Sequence, residues 1–313
     1  MPSGAENPKK WDAGTNRSYI QSSNMLLNGD IDKAKWSLRR GDILTRAVIA
    51  LSLVALIACG IAIGQYVFEV NNAEQQYTAV TNEFVYTGGA GQASGSGTED
   101  LSGLPPVVDW DGLRAINPDI NAWIRIPGTT VDYPVLSSET RDEYLRSDIY
   151  GNYSLNGCIF ADYQNSPDLD ADKHVIIYGH HMNAAVMFHD VARYTSPDFF
   201  DAHQVIYFET PDTTYVLRPI GVYTVSPDEY DTRQTQFGTT GDFQTYLDGR
   251  LQKMGDVHDY TRPTMDKQFT LVTCDNFTTD ERRIVVECTV DQQYPTSMVP
   301  NVIEGAREEG KTN

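Results

Sequence analysis

The sequence has few cysteines and a deficit of basic side chains. Only four cysteines occur among 313 residues, at positions 59, 158, 274 and 288. This number is too small for a disulfide-rich scaffold. Lysine and arginine total 24 against 43 acidic residues, a formal net charge of −19 that argues against a nucleic-acid-binding protein. The zinc motifs C-x-x-C and H-E-x-x-H and internal repeats are also absent.

One long apolar run is present near the N-terminus. Ala47 to Gly64 comprises 18 residues without a charge, and Gln65 to Phe68 extends it. A membrane-spanning helix needs about 20 apolar residues. A cleaved signal peptide has a shorter apolar region, of about 7–15 residues, closer to the N-terminus. The run therefore predicts an uncleaved transmembrane anchor over residues 47–68.

Charge on the two sides of this run predicts its orientation. Residues 1–46 contain eight basic and five acidic side chains, and several of the basic ones directly precede the run. Basic flanks remain on the cytoplasmic side of a membrane. We therefore expect a single-pass protein of the cell membrane, with a cytoplasmic N-terminus and residues 69–313 outside. Of the four cysteines, Cys59 then lies in the membrane, and three remain outside.

Composition divides the rest of the chain. Residues 1–46 are polar and poorly periodic, as is typical of a flexible cytoplasmic tail. Thr87 to Pro106 is rich in glycine and serine, so residues 69–106 are interpreted as an extracellular stalk and linker. We expect the folded domain over residues 107–291 and a C-terminal tail over residues 292–313.

The folded domain is predicted to be mainly β with helical insertions. Short runs rich in β-branched and aromatic residues recur between turn residues, as in a closed sheet or sandwich. One stretch differs. Between Gly241 and Met254, apolar side chains fall at positions 243, 246, 247, 251 and 254, which is helical spacing.

Three residue types in this domain suggest nucleophilic catalysis. Cys274 ends an apolar strand, His180 follows another strand and a glycine, and Arg283 opens a third. A thiolate beside an imidazole is a nucleophile, and an arginine stabilises a developing oxyanion. From spacing alone, a buried structural cysteine is the default interpretation of Cys274, and we keep that interpretation for Cys158 and Cys288. A surface loop or a zinc site remains open for the histidines.

Several ordered motifs resemble those of the sortases, the membrane-anchored cysteine transpeptidases of Gram-positive surfaces. "TLVTC" followed by "RIVV" resembles the sortase signature around the nucleophile. "IIYGHHM" with a later "MF", and "NAWIRIPGTTVDYPVL", resemble the class B forms of two further motifs. The resemblance covers about Val107 to Asp291. It implies an eight-stranded sortase β-barrel with an extra helix before the cysteine strand.

The resemblance also implies roles for individual residues. Cys274 is the expected nucleophile, His180 the general acid/base, and Arg283 the arginine that binds the oxyanion or substrate, with Arg282 as the rival for that role. Tyr178 and Thr273 are expected to line the substrate site. Where the family often has a serine two residues before the cysteine, this chain has Val272.

The implied reaction cleaves a C-terminal sorting signal on a secreted protein. The protein is then joined, through a thioacyl-enzyme, to an amine on a cell-wall precursor peptide or a pilin lysine. The reaction needs no cofactor, and we expect no catalytic metal. Calcium binding by the acidic segment Asp168 to Lys173 is one interpretation, and a solvated loop is the other. The alternative functions are a related Cys/His peptidase that releases its substrate to water, and a catalytically silent anchored binding module.

Overall fold

The computed structural model describes residues 13–86, 103–182, 185–226, 234–254, 266–274 and 282–310. The chain has two compact units, residues 1–66 and 67–313. The first helix, α1, runs from Ala13 to Phe84. Within it, Ile43–Phe68 is 26 residues long with a mean hydropathy of 2.7, so it is long and apolar enough to cross a membrane. This segment contains the predicted anchor, and helix replaces the irregular tail that we expected for residues 13–46.

Eight strands form a closed barrel in the second unit, in the order β10-β8-β7-β3-β4-β5-β6-β9. The barrel strands are β3 (Ile120–Arg125), β4 (Asp132–Leu136), β5 (Ile159–Ala161), β6 (His174–Tyr178), β7 (Ile206–Glu209), β8 (Thr213–Val225), β9 (Gln268–Cys274) and β10 (Arg283–Pro295). Two pairs, β4–β5 and β6–β9, are parallel, and the remaining neighbours are antiparallel. The eight-stranded barrel expected from the sequence is therefore confirmed.

Short elements complete this unit. Strands β1 (Val85–Tyr86) and β2 (Val107–Val108) pair with each other outside the barrel. The helices are α2 (Trp110–Ile116), α3 (His189–Ala192), α4 (Pro197–Ala202), α5 (Thr240–Lys253) and α6 (Val299–Gly310). Short 3₁₀ turns occupy Arg193–Thr195 and Thr296–Met298.

Helix α5 is the one predicted between residues 241 and 254. It begins with a capping box, in which Thr239 accepts from the backbone N–H of Asp242 and the Asp242 carboxylate accepts from the backbone N–H of Thr239. Phe243 and Leu247, one turn apart, are buried on one face. Ile220 of β8 belongs to the same small core, so the apolar stripe of α5 packs on the outside of the barrel.

Alternation along the strands separates the two faces of the barrel. Val175 and Ile177 of β6 and Phe269 and Leu271 of β9 belong to the main hydrophobic core. Side chains at the intervening positions point to the opposite face, since successive strand residues alternate. Those intervening positions include His174 and Tyr178 on β6 and Thr270 on β9, which therefore lie on the outer face.

Two segments that we expected outside the folded domain belong to it, which corrects the boundaries at residues 107 and 291. Tyr77 and Val80 of α1, one turn apart, are buried in the main core, although the sequence analysis placed them in a stalk. Strand β10 continues to Pro295, and Val299 and Ile303 of α6 are buried. Both cases have one physical cause, because a few apolar residues at helical spacing suffice to bury one face of a polar segment. Residues 87–102, most of the predicted flexible linker, lie outside the described part of the chain.

Candidate active site

Three neighbouring strands end at the same edge of the barrel. Strands β6 and β9 are parallel, with Tyr178 opposite Val272, so their carboxyl ends meet. Strand β10 is antiparallel to β9 and begins at that edge, where Arg283 lies directly opposite Cys274. The three predicted catalytic residues therefore come from adjacent strand ends.

Strand register places these residues in one row. His180 lies two positions beyond Tyr178, and Cys274 lies two positions beyond Val272, the partner of Tyr178. Both residues therefore follow the Tyr178–Val272 pair at the same edge of the barrel. The ladder continues one step past β6, since the Gly179 N–H donates to the Val272 carbonyl at 3.2 Å. The side chain of Cys274 lies outside the described part of the chain.

Gly179 allows the chain to turn tightly after β6. A Cβ atom at this position would lie 2.5 Å from Ile159 Cδ1 and 2.6 Å from Phe188 Cγ. The Phe188 N–H in turn donates to the His180 carbonyl at 2.9 Å. Phe188 thus closes the loop that follows His180 and fixes the backbone on both sides of that residue.

The same loop contains a strained turn. His181 pairs with Met187 in an isolated β-bridge. Ala185 and Met187 each have φ of 57°, in the left-handed region. A residue other than glycine in this region costs about 1–3 kcal/mol of folding free energy, which surrounding contacts must offset. One such contact is the hydrogen bond that the Met187 N–H donates to the Tyr133 hydroxyl at 3.1 Å.

Substituting Gly179 with alanine is expected to lower the free energy of unfolding by about 1–3 kcal/mol, because the new methyl overpacks against Ile159 and Phe188. Denaturant unfolding measures this loss. Gly249→Ala is the matched control, since Gly249 lies in α5 and a Cβ added there would have no atom within 4 Å. That control is expected to be neutral or slightly stabilising. Equal stability of the two variants would contradict the close packing at Gly179.

The imidazole of His180 is half-buried and is held in one orientation. Its Nε2 donates to the Leu145 carbonyl at 2.8 Å, since a carbonyl oxygen only accepts. Burial lowers the pKa of His180, and the charges of Arg146 and Arg283 lower it further, against the opposing effect of the Leu145 hydrogen bond. The ring is therefore neutral at pH 7 and able to take a proton. Once protonated, it is a stronger acid than an ordinary imidazolium.

The structure distinguishes the two neighbouring arginines. Arg283 is half-buried, lies opposite Cys274, and is close enough to His180 for its charge to lower the pKa of the imidazole. Arg282 precedes β10 and is exposed, and its guanidinium donates to the Thr224 carbonyl at 3.1 Å. These positions favour Arg283 as the arginine of the site.

The two residues predicted to line the substrate site lie in different environments. The Tyr178 ring is half-buried, and its hydroxyl donates to Asp162 at 2.9 Å. Thr273 is 2% exposed, and its hydroxyl donates to the Gly179 carbonyl at 2.8 Å. Thr273 also falls on the opposite strand face from Cys274. The expected substrate contact by Thr273 is therefore replaced by a role in holding β9 against the residue before His180.

Sequence reasoning missed the residues that orient the site from other segments. Leu145 binds His180 through its backbone carbonyl, which carries no side-chain signal in the sequence. Asp162 binds Tyr178 across strands, and no motif marks it. Val272, where the family often has serine, is buried on the same face as Cys274.

Two of the remaining cysteines are buried. Cys158 and Cys288 are each 0% exposed and are free thiols. Burial raises the pKa of Cys158 to about 12 and raises that of Cys288 above its ordinary value. Both stay protonated at neutral pH, so they act as small packed side chains.

The acidic segment that was considered for calcium is organised by a lysine. Lys267 Nζ donates to the backbone carbonyls of Leu169, Asp170 and Asp172 at 2.6, 3.1 and 2.7 Å. This ammonium satisfies oxygens of the type that calcium binds. Among the described residues, no group of three or more His, Cys, Asp or Glu has a geometry suited to a metal ion.

Comparisons with known proteins show the family of this domain. Residues 124–291 match the family model for the sortase domain. Sortase B of Listeria monocytogenes is 35% identical over 163 residues, covering 52% of this chain and 65% of that protein, slightly less than two thirds of its length. Sortase B of Staphylococcus aureus is 32% identical over 179 residues, covering 56% of this chain and 72% of that protein. The solved Staphylococcus aureus sortase B–substrate complex has a TM-score of 0.52 and 30% identity, covering 58% of this chain and 84% of that one.

Proposed function

Because this chain belongs to the sortase family, we propose that it is a class B-like cysteine transpeptidase, anchored in the cell membrane with its barrel outside. The observation that carries the proposal is the row formed by His180, Cys274 and Arg283 across three adjacent strand ends. This row combines a nucleophile, a neutral base and a fixed positive charge. Acyl transfer through a thioester needs these three functions.

The first half of the reaction forms the acyl-enzyme. His180 accepts the proton of the Cys274 thiol, and the thiolate attacks the threonine carbonyl of the sorting signal. A C–S bond forms, and Arg283 stabilises the negative charge on the carbonyl oxygen. Collapse of this intermediate breaks the C–N bond, and His180 gives its proton to the leaving amine. The low pKa of His180 assists this last transfer, because it makes the imidazolium a good acid.

The second half transfers the acyl group to an amine. The acceptor amine attacks the thioester carbonyl, its proton passes to His180, and the C–S bond breaks to restore the thiolate. One amide replaces another, so no electrons are exchanged and no cofactor is consumed. We propose a secreted protein with a C-terminal sorting signal as donor, and a cell-wall precursor peptide or a pilin lysine as acceptor.

Support for the substrate class comes from the family. A solved relative is described as a sortase B–substrate complex. Among the described residues, the one helix segment long and apolar enough to cross a membrane, Ile43–Phe68, supports membrane attachment. The basic residues before it support a cytoplasmic N-terminus under the positive-inside rule.

A peptide library with free amines tests the proposal. The full chain in detergent is incubated with sorting-signal-like peptides, and intact-protein mass spectrometry detects a thioacyl adduct. Adding an amine such as triglycine is expected to convert the cleaved product into its amide. A Cys/His hydrolase would give the same free acid with or without the amine. A silent binding module would form no adduct on Cys274, and either result would contradict transpeptidation.

A further inference from the structure

A cluster of buried polar side chains lies on the outer face of the strands that lead to the catalytic row. It consists of His174 on β6, Gln268 and Thr270 on β9, Glu287 on β10, and Tyr246 and Arg250 on α5. Four of its members, His174, Gln268, Thr270 and Glu287, are at most 1% exposed. A polar group buried this deeply costs free energy unless it is hydrogen-bonded.

Glu287 is the centre of the buried polar cluster. Its carboxylate accepts hydrogen bonds from the side chains of Arg250 and Gln268 and from the Thr270 hydroxyl at 2.6 Å. The Tyr223 hydroxyl donates to it at 2.7 Å. The Arg250 pairing is an ion pair whose two side chains are 4% and 0% exposed. Helix α5 is thus tied to strands β8, β9 and β10 through one carboxylate.

His174 extends the cluster to the fourth strand. Its Nδ1 donates to the Gln234 carbonyl at 2.7 Å, and its Nε2 lies 2.7 Å from the Thr270 hydroxyl. The Thr270 hydroxyl oxygen therefore lies within hydrogen-bond distance of both His174 and Glu287. The ring of Tyr246 lies 5.4 Å from that of His174, which adds a second contact from α5.

Strand register relates this cluster to the catalytic row. Thr270 and Glu287 are direct cross-strand partners, as are Cys274 and Arg283 four residues along each strand. Four strand residues span about 13 Å. His174 opens β6, and His180 follows the end of that strand after Gly179. Each strand that ends in a predicted catalytic residue therefore also contributes a member of the buried polar cluster.

We propose that Glu287 and Arg250 are positioning residues, whose buried ion pair holds α5 on the three strands and fixes the alignment of His180, Cys274 and Arg283. The proposal rests on the proposed function for the identity of that row. A buried ion pair adds little net stability compared with apolar residues, but removing one partner leaves an uncompensated charge. We therefore expect the ion pair to contribute little to the free energy of unfolding and to act mainly by favouring one arrangement of these strands.

The pH profile of Cys274 alkylation tests this proposal without a sorting peptide. Iodoacetamide is added to the full chain in detergent between pH 5 and 10, and mass spectrometry of the Cys274 peptide gives the rate. Misalignment separates the thiol from the positive charge of Arg283, so Glu287→Gln is expected to raise the midpoint by about one pH unit. Where a peptide substrate is known, kcat of Glu287→Gln, normalised to the amount of reactive Cys274 thiol, is expected to fall about tenfold or more. KM is expected to change less.

Three further variants make the result decisive. Asp248→Asn, on the exposed side of α5, removes a carboxylate outside the cluster and is expected to leave the midpoint unchanged. Arg250→Met combined with Glu287→Gln restores neutrality without the ion pair, so it is expected to retain most of the shift. Arg250→Lys keeps the positive charge but changes the geometry of the ion pair. If Glu287→Gln does not fold, the alkylation midpoint of Arg250→Lys is measured instead, and a raised midpoint is again expected.

A lowered unfolding temperature with an unchanged alkylation midpoint and unchanged kcat would overturn the proposal, because that pattern belongs to a purely structural ion pair. Failure of the wild-type protein to cleave any sorting peptide would instead refute the proposed function. The alkylation profile would still decide whether the ion pair positions the thiol.

Discussion

Cys274→Ala is expected to abolish cleavage of a cognate sorting peptide, with a loss of about 10⁴-fold or more. The C–S bond of the acyl-enzyme cannot form without the thiol, and no other described cysteine replaces it. Cys158 and Cys288 are buried, with raised thiol pKa values. Peptide cleavage and intact-protein mass spectrometry measure the loss of turnover and of the adduct together.

Two controls separate chemistry from folding in this experiment. Cys59→Ala makes the same substitution in the apolar segment, and it is expected to retain full activity. Circular dichroism is expected to show an unchanged barrel for Cys274→Ala, because the change adds no bulk at the strand end. Cleavage by Cys274→Ala at the wild-type rate would refute the nucleophile assignment.

Arg283→Ala is expected to reduce kcat by about 10²-fold, the usual cost of losing one oxyanion donor. Arg283 lies opposite Cys274 in the ladder, and its charge reaches His180. The guanidinium contributes mainly when negative charge develops on the substrate oxygen. KM is therefore expected to change less than kcat, and steady-state kinetics with a cleavable peptide measures both.

Arg282→Ala is the matched control for this prediction, since it removes the same charge from the adjacent residue. Arg282 is exposed and binds the Thr224 carbonyl, so we expect a change of less than about threefold, as for a screened surface charge. Arg283→Lys is expected to be intermediate, because lysine keeps the charge but loses the planar fork of donors. A larger loss for Arg282→Ala than for Arg283→Ala would show that the arginine assignment is reversed.

Local patterns predicted the elements that depend on local interactions. The helical spacing of Phe243 and Leu247 predicted α5, and β-branched runs predicted the strands that close the barrel. The same patterns misplaced the domain boundaries. Tyr77 and Val299 look like isolated apolar residues in polar segments, and only the surface against which they pack makes them part of the core.

Sequence motifs mark the residues of the candidate site but not its geometry. Motifs named Cys274, His180 and Arg283, and the structure brings their strand ends together. No local signal indicated that Thr273 would be buried, or that the Leu145 carbonyl would orient His180. These contacts join segments that are distant in sequence.

The sequence by itself determined that an apolar segment precedes a mainly β domain with one prominent helix, and it supplied the thiol, the imidazole and two adjacent arginines. Alternation and helical spacing are local properties, so a single chain reveals them. Only the tertiary structure placed Arg283 opposite Cys274 in the ladder and showed that Glu287 binds Arg250 of α5. Those outcomes depend on strand partners and register. His174 and Thr270, for example, are 96 residues apart in the chain and 2.7 Å apart in the fold.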